Sequence, residues 1–384
     1  MKIAMISVQE NPLTALRDAD AVGRRLHIAK LAEALRRQGH DLTVYTRRTG
    51  LPDQGRAGFE VVSVPAGPAR ELGQDAMIPH IGEFARFLTE RWASEAPDVI
   101  HAHHWTSGFA AVLGARRTGI PIVQSWHGLD GGDCTGIERL VGREAAAVLA
   151  RSDHEARDLA RLGVRRNRIS TVPSGVDTRM FTLNGPVAPR NGMPRVLAVT
   201  PPNEGLDDLI SALPAVTCTE LVVVGGQCER LRALAARLGV ADRVSFLGRV
   251  PHSEMPALFR SADVVACPQW REGFGVVPLE AMACGVPVVV SAVGGLAESV
   301  VHDVTGLHVR PRDPAQLARA LRSLLGDDTR RQELGAAGQD RTHVRHAWDR
   351  VALDVAGVYE RSALSLQKSF DTTEKRLADQ VSIG

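Results

Sequence analysis

Paired cysteines, net charge and long apolar runs are what this chain has little of. Its five cysteines, Cys134, Cys218, Cys228, Cys267 and Cys284, are odd in number and form no CxxC. That argues against a disulfide framework or a cysteine zinc site and fits reduced thiols in a cytoplasmic protein. The formal net charge is only +2, so nothing calls for nucleic acid or an anionic membrane as partner. No apolar run reaches the length of a membrane span, so no integral membrane contact is expected. The opening MKIAMISV ends at Gln9, Glu10 and Asn11, a strand pattern rather than a signal peptide. The first strand is followed by no GxGxxG, which counts against a dinucleotide oxidoreductase.

The 384 residues, 44% of them apolar and 23% charged, suit a soluble α/β protein of two domains. Strands are expected at 2–8, 41–46, 61–64, 98–102 and 122–128. Helices are expected at 23–38, 80–94 and 137–163, the last stopped by Gly163. The stretch LNGPVAPRNGMP, 183–194, reads as an interdomain linker. A second set follows, with strands at 195–200, 220–224 and 244–246 and helices near 206–213, 229–238 and 254–261. Helices at 315–325, 329–338 and 346–360 close the chain, and a polar tail that frays begins at Ser365.

Two patterns invite a metal and are read otherwise. Asp18 and Asp20 form a DxD in a long loop without a second acidic cluster, and are read as solvated loop acids. In HAHHW, a strand would point His101 and His103 one way and His104 the other. No cysteine or carboxylate stands beside them at ligand spacing, so no metal is expected.

The most informative stretch is 267–300, CPQWREGFGVVPLEAMACGVPVVVSAVGGLAESV. Glu272 precedes Gly273, Phe274 and Gly275, and Glu280 follows eight positions after it. Between them Pro278 suits a helix start, and Gly285 with Pro287 ends the helix. A helix N-terminus offers free N–H groups and partial positive charge to a phosphate. Two carboxylates beside it suit neutral hydroxyls, as on sugars.

EGFGVVPLE, EAMACGVPVV, VGGLAESV and DVTGLHV together resemble the signature of the family 4 retaining glycosyltransferases, and the likeness extends over about 1–360. It implies the GT-B fold, two Rossmann-like doubly wound domains facing across a cleft, with the last helix crossing back to the first. On that reading residues 1–185 with 346–384 form the acceptor domain and 186–345 the nucleotide-sugar domain. The resemblance further implies no metal, no cofactor and no protein nucleophile. The co-substrate would be a nucleotide sugar, a UDP-hexose by expectation, and the acceptor a small polar molecule. Glu272 and His127 are the expected catalytic residues. Donor contacts fall to Gly23, Arg249, Val250, Gly273, Phe274, Gly275, Val276, Val277 and Glu280. His104, Trp105 and Asp130 would line the acceptor side. The loop NPLTALRDADAVG, HHW and the RRQGH and YTRR pieces look most like the branch acting on inositol phosphate or aminocyclitols.

One departure stands out. Family members carry a glycine–arginine pair and then lysine–glycine after the linker strand, and these cations clamp the donor diphosphate. Here the segment is AVTPPNEGLDDLI, with Thr200, Pro201 and Glu204 in their place. Val22 likewise stands where the family has a second glycine beside Gly23. Either Arg24, Arg25 or Arg271 replaces the lost charge, or the donor is used weakly, or the chain is a non-catalytic GT-B partner. A GT-B sugar phosphorylase or epimerase is a further alternative. The acids Glu71, Asp75, Glu83, Asp130 and Asp133 favour a cationic aminocyclitol acceptor, as in aminoglycoside antibiotic assembly, over a phosphorylated inositol.

Overall fold

A computed structural model describes residues 1–12, 23–50, 58–199, 205–225, 229–270 and 275–381, with side chains up to 364. The chain divides into two compact units. The first holds the N-terminal strand, Arg24–Val172 and Ala352–Gly384, and the second holds Pro173–Val351.

The first unit runs β1 (Lys2–Ser7), α1 (Arg24–Arg37), β2 (Asp41–Arg47), β3 (Glu60–Val64), α2 (Ile81–Ser94), β4 (Val99–His103), α3 (His104–Gly114), β5 (Ile122–Ser125), α4 (Thr135–Glu144), β6 (Ala147–Ala150), α5 (Asp153–Leu162) and β7 (Ile169–Thr171). The second runs β8 (Arg195–Val199), α6 (Leu206–Ala212), β9 (Glu220–Val224), α7 (Glu229–Arg237), β10 (Val244–Gly248), α8 (Met255–Arg260), β11 (Val264–Cys267), α9 (Val276–Ala283), β12 (Val288–Ser291), α10 (Gly294–Ser299), β13 (Gly306–Val309), α11 (Pro314–Leu325) and α12 (Asp328–Arg341). The closing helix, α13 (Trp348–Val381), is divided between the units at 351/352.

The described strands make two wholly parallel sheets. Their orders are β3-β2-β1-β4-β5-β6-β7 and β10-β9-β8-β11-β12-β13. Both reverse direction beside their first strand, the doubly wound order that places ligands at the carboxyl ends of the central strands. The central strands are continuous apolar runs because helices cover both faces. VVAC of β11 and VVVS of β12 are buried along their whole length.

Three expectations from the sequence need correction. The single helix at 137–163 is two helices separated by β6, whose AVLA is buried at all four positions. Ser152 starts the second helix by accepting the Glu155 N–H at 3.0 Å. The division falls at 172/173 and 351/352 rather than 185/186 and 345/346. Val176 and Phe181 already pack into the second unit's core, and the Val176 N–H donates to the His346 carbonyl at 2.8 Å. The supposed linker is pinned to its own unit, with Arg260 donating to the carbonyls of Thr182 and Pro186 and Arg195 to that of Pro189. Finally, α13 carries helical backbone to Val381, past the start of the expected frayed tail.

Candidate active site

In the second unit, the feature that organises the site is α9. Gly275 caps it with φ +64°, a left-handed conformation that favours glycine. Helical residues start at Val276, two positions before the expected Pro278, so the amides of Val276 and Val277 lie in the open first turn. Glu280 is on the same helix and buried, 5% exposed. Its Oε1 pairs with His252 Nε2 at 2.7 Å. Burial pushes the Glu280 carboxyl above its usual range, and the His252 contact pulls against that. Cys267 and Cys284 nearby are buried thiols pushed up to about 12, chiefly by burial. Arg249 and Val250 follow β10, the arginine exposed and the valine, like Val277, packed against the same apolar cluster.

The approach to α9 is tight. Gly205, at φ +85°, caps α6 so close to the end of β11 that a Cβ there would lie 2.0 Å from the Pro268 carbonyl oxygen. Trp270 donates its indole N–H to Asp208 at 2.6 Å, and the Arg312 guanidinium lies 4.7 Å from the centre of its ring. Arg312 itself has φ +59°.

In the first unit the carboxyl ends of β4 and β5 carry a histidine cluster. His101 Nδ1 meets the Tyr359 hydroxyl at 2.6 Å and its Nε2 meets Ser125 Oγ at 2.8 Å. His103 Nδ1 lies 2.9 Å from His127 Nε2, with the rings stacked. His27, from α1, sets its ring edge-on to both His103 and His127. Burial holds His27 and His101 down to about 3 and His103 and His127 well below 6.5, so the cluster is neutral at neutral pH. One ring nitrogen from each of His27, His103 and His127 lies within 4.8 Å of those of the other two. This trio is not the HAHHW trio that the sequence brings to mind, because His104 leaves the strand.

His104 opens α3 with φ +71°, and His127 has φ +61°. Left-handed backbone at non-glycine residues costs about 1–2 kcal/mol each. His104 Nε2 faces Asp130 Oδ2 at 3.2 Å, and burial together with the Arg24 charge holds His104 down to about 4. At neutral pH it therefore meets Asp130 as an N–H donor, not as a cation. Trp105 Nε1 and Gln74 Nε2 each donate to the same oxygen at 2.7 Å. Partial burial pushes the Asp130 carboxyl up, but these donors outweigh it and leave it below its ordinary range. Beneath it, buried Glu138 accepts the Asp130 backbone N–H at 2.9 Å. Trp105 is fully buried, so what it contributes is its indole N–H rather than an exposed wall.

Glu272, Gly273 and Phe274 lie outside the described residues, as do Asp18, Asp20, Val22, Thr200, Pro201, Glu204 and Arg271. Gly23 immediately precedes α1 with φ +78°. Of the arginines that would replace the lost cations, Arg24 and Arg25 both pair with Glu10, and Arg25 also approaches Glu71 at 3.8 Å. Sequence reasoning missed His27, Gln74, Glu138 and His252. His27 hides within the apolar helical spacing of α1, and His252 is a lone histidine in a proline-bounded loop. Its nearness in sequence to the expected donor contacts Arg249 and Val250 was a signal for His252.

Residues 196–341 match the glycosyl transferases group 1 family, and 23–175 match the glycosyl transferase 4-like domain. A D-inositol 3-phosphate glycosyltransferase of Xylanimonas cellulosilytica is 35% identical over 407 residues, covering 94% of this chain and 97% of the relative. One from Acidothermus cellulolyticus is 36% identical over 426 residues, covering 99% and 94%. Sucrose-phosphate synthase of Thermosynechococcus elongatus superposes with a TM-score of 0.81 at 26% identity, covering 94% of this chain and 98% of that one. HepE of Anabaena gives 0.73 at 21% identity, covering 94% and 100%. The chain belongs to the family 4 glycosyltransferases of GT-B fold, a class of glycosyl-transferring enzymes. No helix among the described residues is long and apolar enough to cross a membrane.

Proposed function

We propose that the chain transfers a hexosyl group from a UDP-sugar to a cyclitol, with retention and without a metal or other cofactor. The observation that carries this reading is α9. Its glycine-capped first turn presents amides, and a buried carboxylate, Glu280, stands about one turn further along. Amides suit a diphosphate and a carboxylate suits ribose hydroxyls, a division of labour that a nucleotide sugar fits. The HepE structures, described in complex with UDP and with UDP-glucose, support the choice of donor. Glu272, with the backbone of Gly273, Phe274 and Gly275, takes sugar hydroxyls, and the backbone of Arg249 and Val250 faces the base. Gly23 lets the backbone approach the donor phosphate. Neutral His127 offers a hydrogen bond to a sugar hydroxyl. The donor β-phosphate accepts the acceptor's proton while the anomeric bond to it breaks on the same face. The protein's part is to position and to stabilise the leaving diphosphate.

Kinetics with UDP-hexoses test this. Glu272→Gln lowers kcat by about 10²-fold or more, on the scale of losing a transition-state contact. Glu280→Gln raises donor KM and leaves kcat nearly unchanged. Wild-type kinetics in both variants would sink the donor assignment.

For the acceptor, the names of the curated relatives favour an inositol phosphate over the aminocyclitol of aminoglycoside assembly. One observation favours the aminated ring. Asp130 is a fixed, charged carboxylate with Asp75 and Asp133 around it, and after burial these acids, with buried Glu138, are what raise the Cys134 thiol. Such a surface suits an ammonium group and repels a phosphate. Inositol phosphate, free inositol and an aminated cyclitol competing in one assay separate the two. Preference for the phosphate supports the first reading. Preference for the amine that Asp130→Asn abolishes supports the second.

A further inference from the structure

We propose that His252 is a positioning residue for the nucleoside, fixing Glu280 so that one carboxylate oxygen is held by the protein and the other is left for ribose. This rests on the donor reading of Glu280 given above. Among the described residues, His252 is the only side-chain hydrogen-bond partner of Glu280. The pair is withdrawn from water, with side-chain exposures of 14% for His252 and 7% for Glu280. In such surroundings a carboxylate without a donor rotates or takes up a proton, and either change removes the acceptor that a hydroxyl needs.

The imidazole is itself fixed. Phe181, 1% exposed, packs its ring 5.2 Å from that of His252 at an interplanar angle of 58°. His252 also opens the 3-10 turn His252–Glu254 that leads into α8, two residues past Val250. The loop expected to face the base and the carboxylate expected to face the ribose are thus joined by one hydrogen bond. Base and ribose contacts form together, and loss of that bond loosens the ribose contact while the fold persists.

The test measures binding of UDP and of 2′,3′-dideoxy-UDP by calorimetry, with thermal unfolding to show that each variant is folded. Wild type favours UDP by about tenfold or more, as a site built to bond hydroxyls does. His252→Leu brings that ratio close to one by weakening UDP alone, and donor KM rises while kcat at saturating donor stays within about threefold. His252→Gln, whose amide N–H can reach Glu280, restores most of the ratio. A wild-type ratio in His252→Leu, or no restoration in His252→Gln, overturns the proposal. If wild type discriminates and Glu280→Gln abolishes this while His252→Leu does not, only the role of His252 falls. If wild type binds both ligands equally, the ribose reading of Glu280 falls and takes the proposal with it.

Discussion

In the second unit the chain leaves the central strands β8 and β11 and turns left-handed at Gly205 and Gly275. In the first unit it leaves the central strands β4 and β5 and turns left-handed at His104 and His127. The two sheets share one winding order, and β11 holds in the second the place that β4 holds in the first, so corresponding exits turn left-handed at glycine, Gly275, in one and at imidazole, His104, in the other. Glycine takes that backbone freely, whereas a histidine stores strain there. The difference teaches what each exit supplies. The second unit's exits leave backbone without a side chain at these turns. The first unit's exits need side chains at the same place, and the strain is the consequence.

Acid gives the largest expected contrast. His27, His101, His103, His104 and His127 all titrate below 6.5 in the folded first unit, mainly through burial. Unfolded, they titrate near 6.5, so below that pH the unfolded chain binds more protons. Stability is lost as pH falls from about 6.5, by about 1.4 kcal/mol per pH unit for each independently titrating histidine. The loss continues to about 3 for His27 and His101. Glu280 acts with the opposite sign, since its raised carboxyl favours the fold as pH falls. Hydrogen exchange at pH 7 and pH 5, corrected for intrinsic rates, should show peptides from 99–127 losing far more protection than peptides from 264–291. Equal losses would break the comparison.

Next in size is Asp130→Ala. It strands the Trp105 indole N–H, which is fully buried, and an unsatisfied buried donor costs about 1–3 kcal/mol. Thermal unfolding should fall by a few degrees, and Asp130→Asn, which keeps an accepting oxygen, should recover most of it. Acceptor KM should rise in both while donor KM holds. A matching rise in donor KM would show that Asp130 does not serve the acceptor alone.

The doubly wound class and the α9 region were legible because long apolar strands and a glycine–proline-bounded helix leave local signatures. The helix expected at 137–163 was misread because AVLA has no period of its own, and only the sheet around it makes it a strand. The neutral histidine cluster was illegible for a different reason. His27, His101, His103, His127 and Tyr359 come from four elements distant in sequence, and burial, which sequence does not display, sets their charge. The Asp130 arrangement is an intermediate case. Asp130, His104 and Trp105 were each picked out, yet the convergence of three donors on one oxygen depends on α3 beginning at His104.

The smallest expected effect probes the glycine half of the comparison. Among the described residues, a Cβ added at Gly275 would meet only Ser299 Oγ, at 3.4 Å, which is ordinary contact. What resists Gly275→Ala is therefore the left-handed backbone, worth about 1 kcal/mol. Thermal unfolding should register that modest loss. If the first-turn amides of α9 hold the diphosphate, relaxing the cap also turns them, so donor KM should rise with acceptor KM unchanged. A stability loss without any change in donor KM would leave Gly275 a structural cap and assign the diphosphate to other residues. A rise confined to donor KM would place the bare backbone of the second unit on the donor.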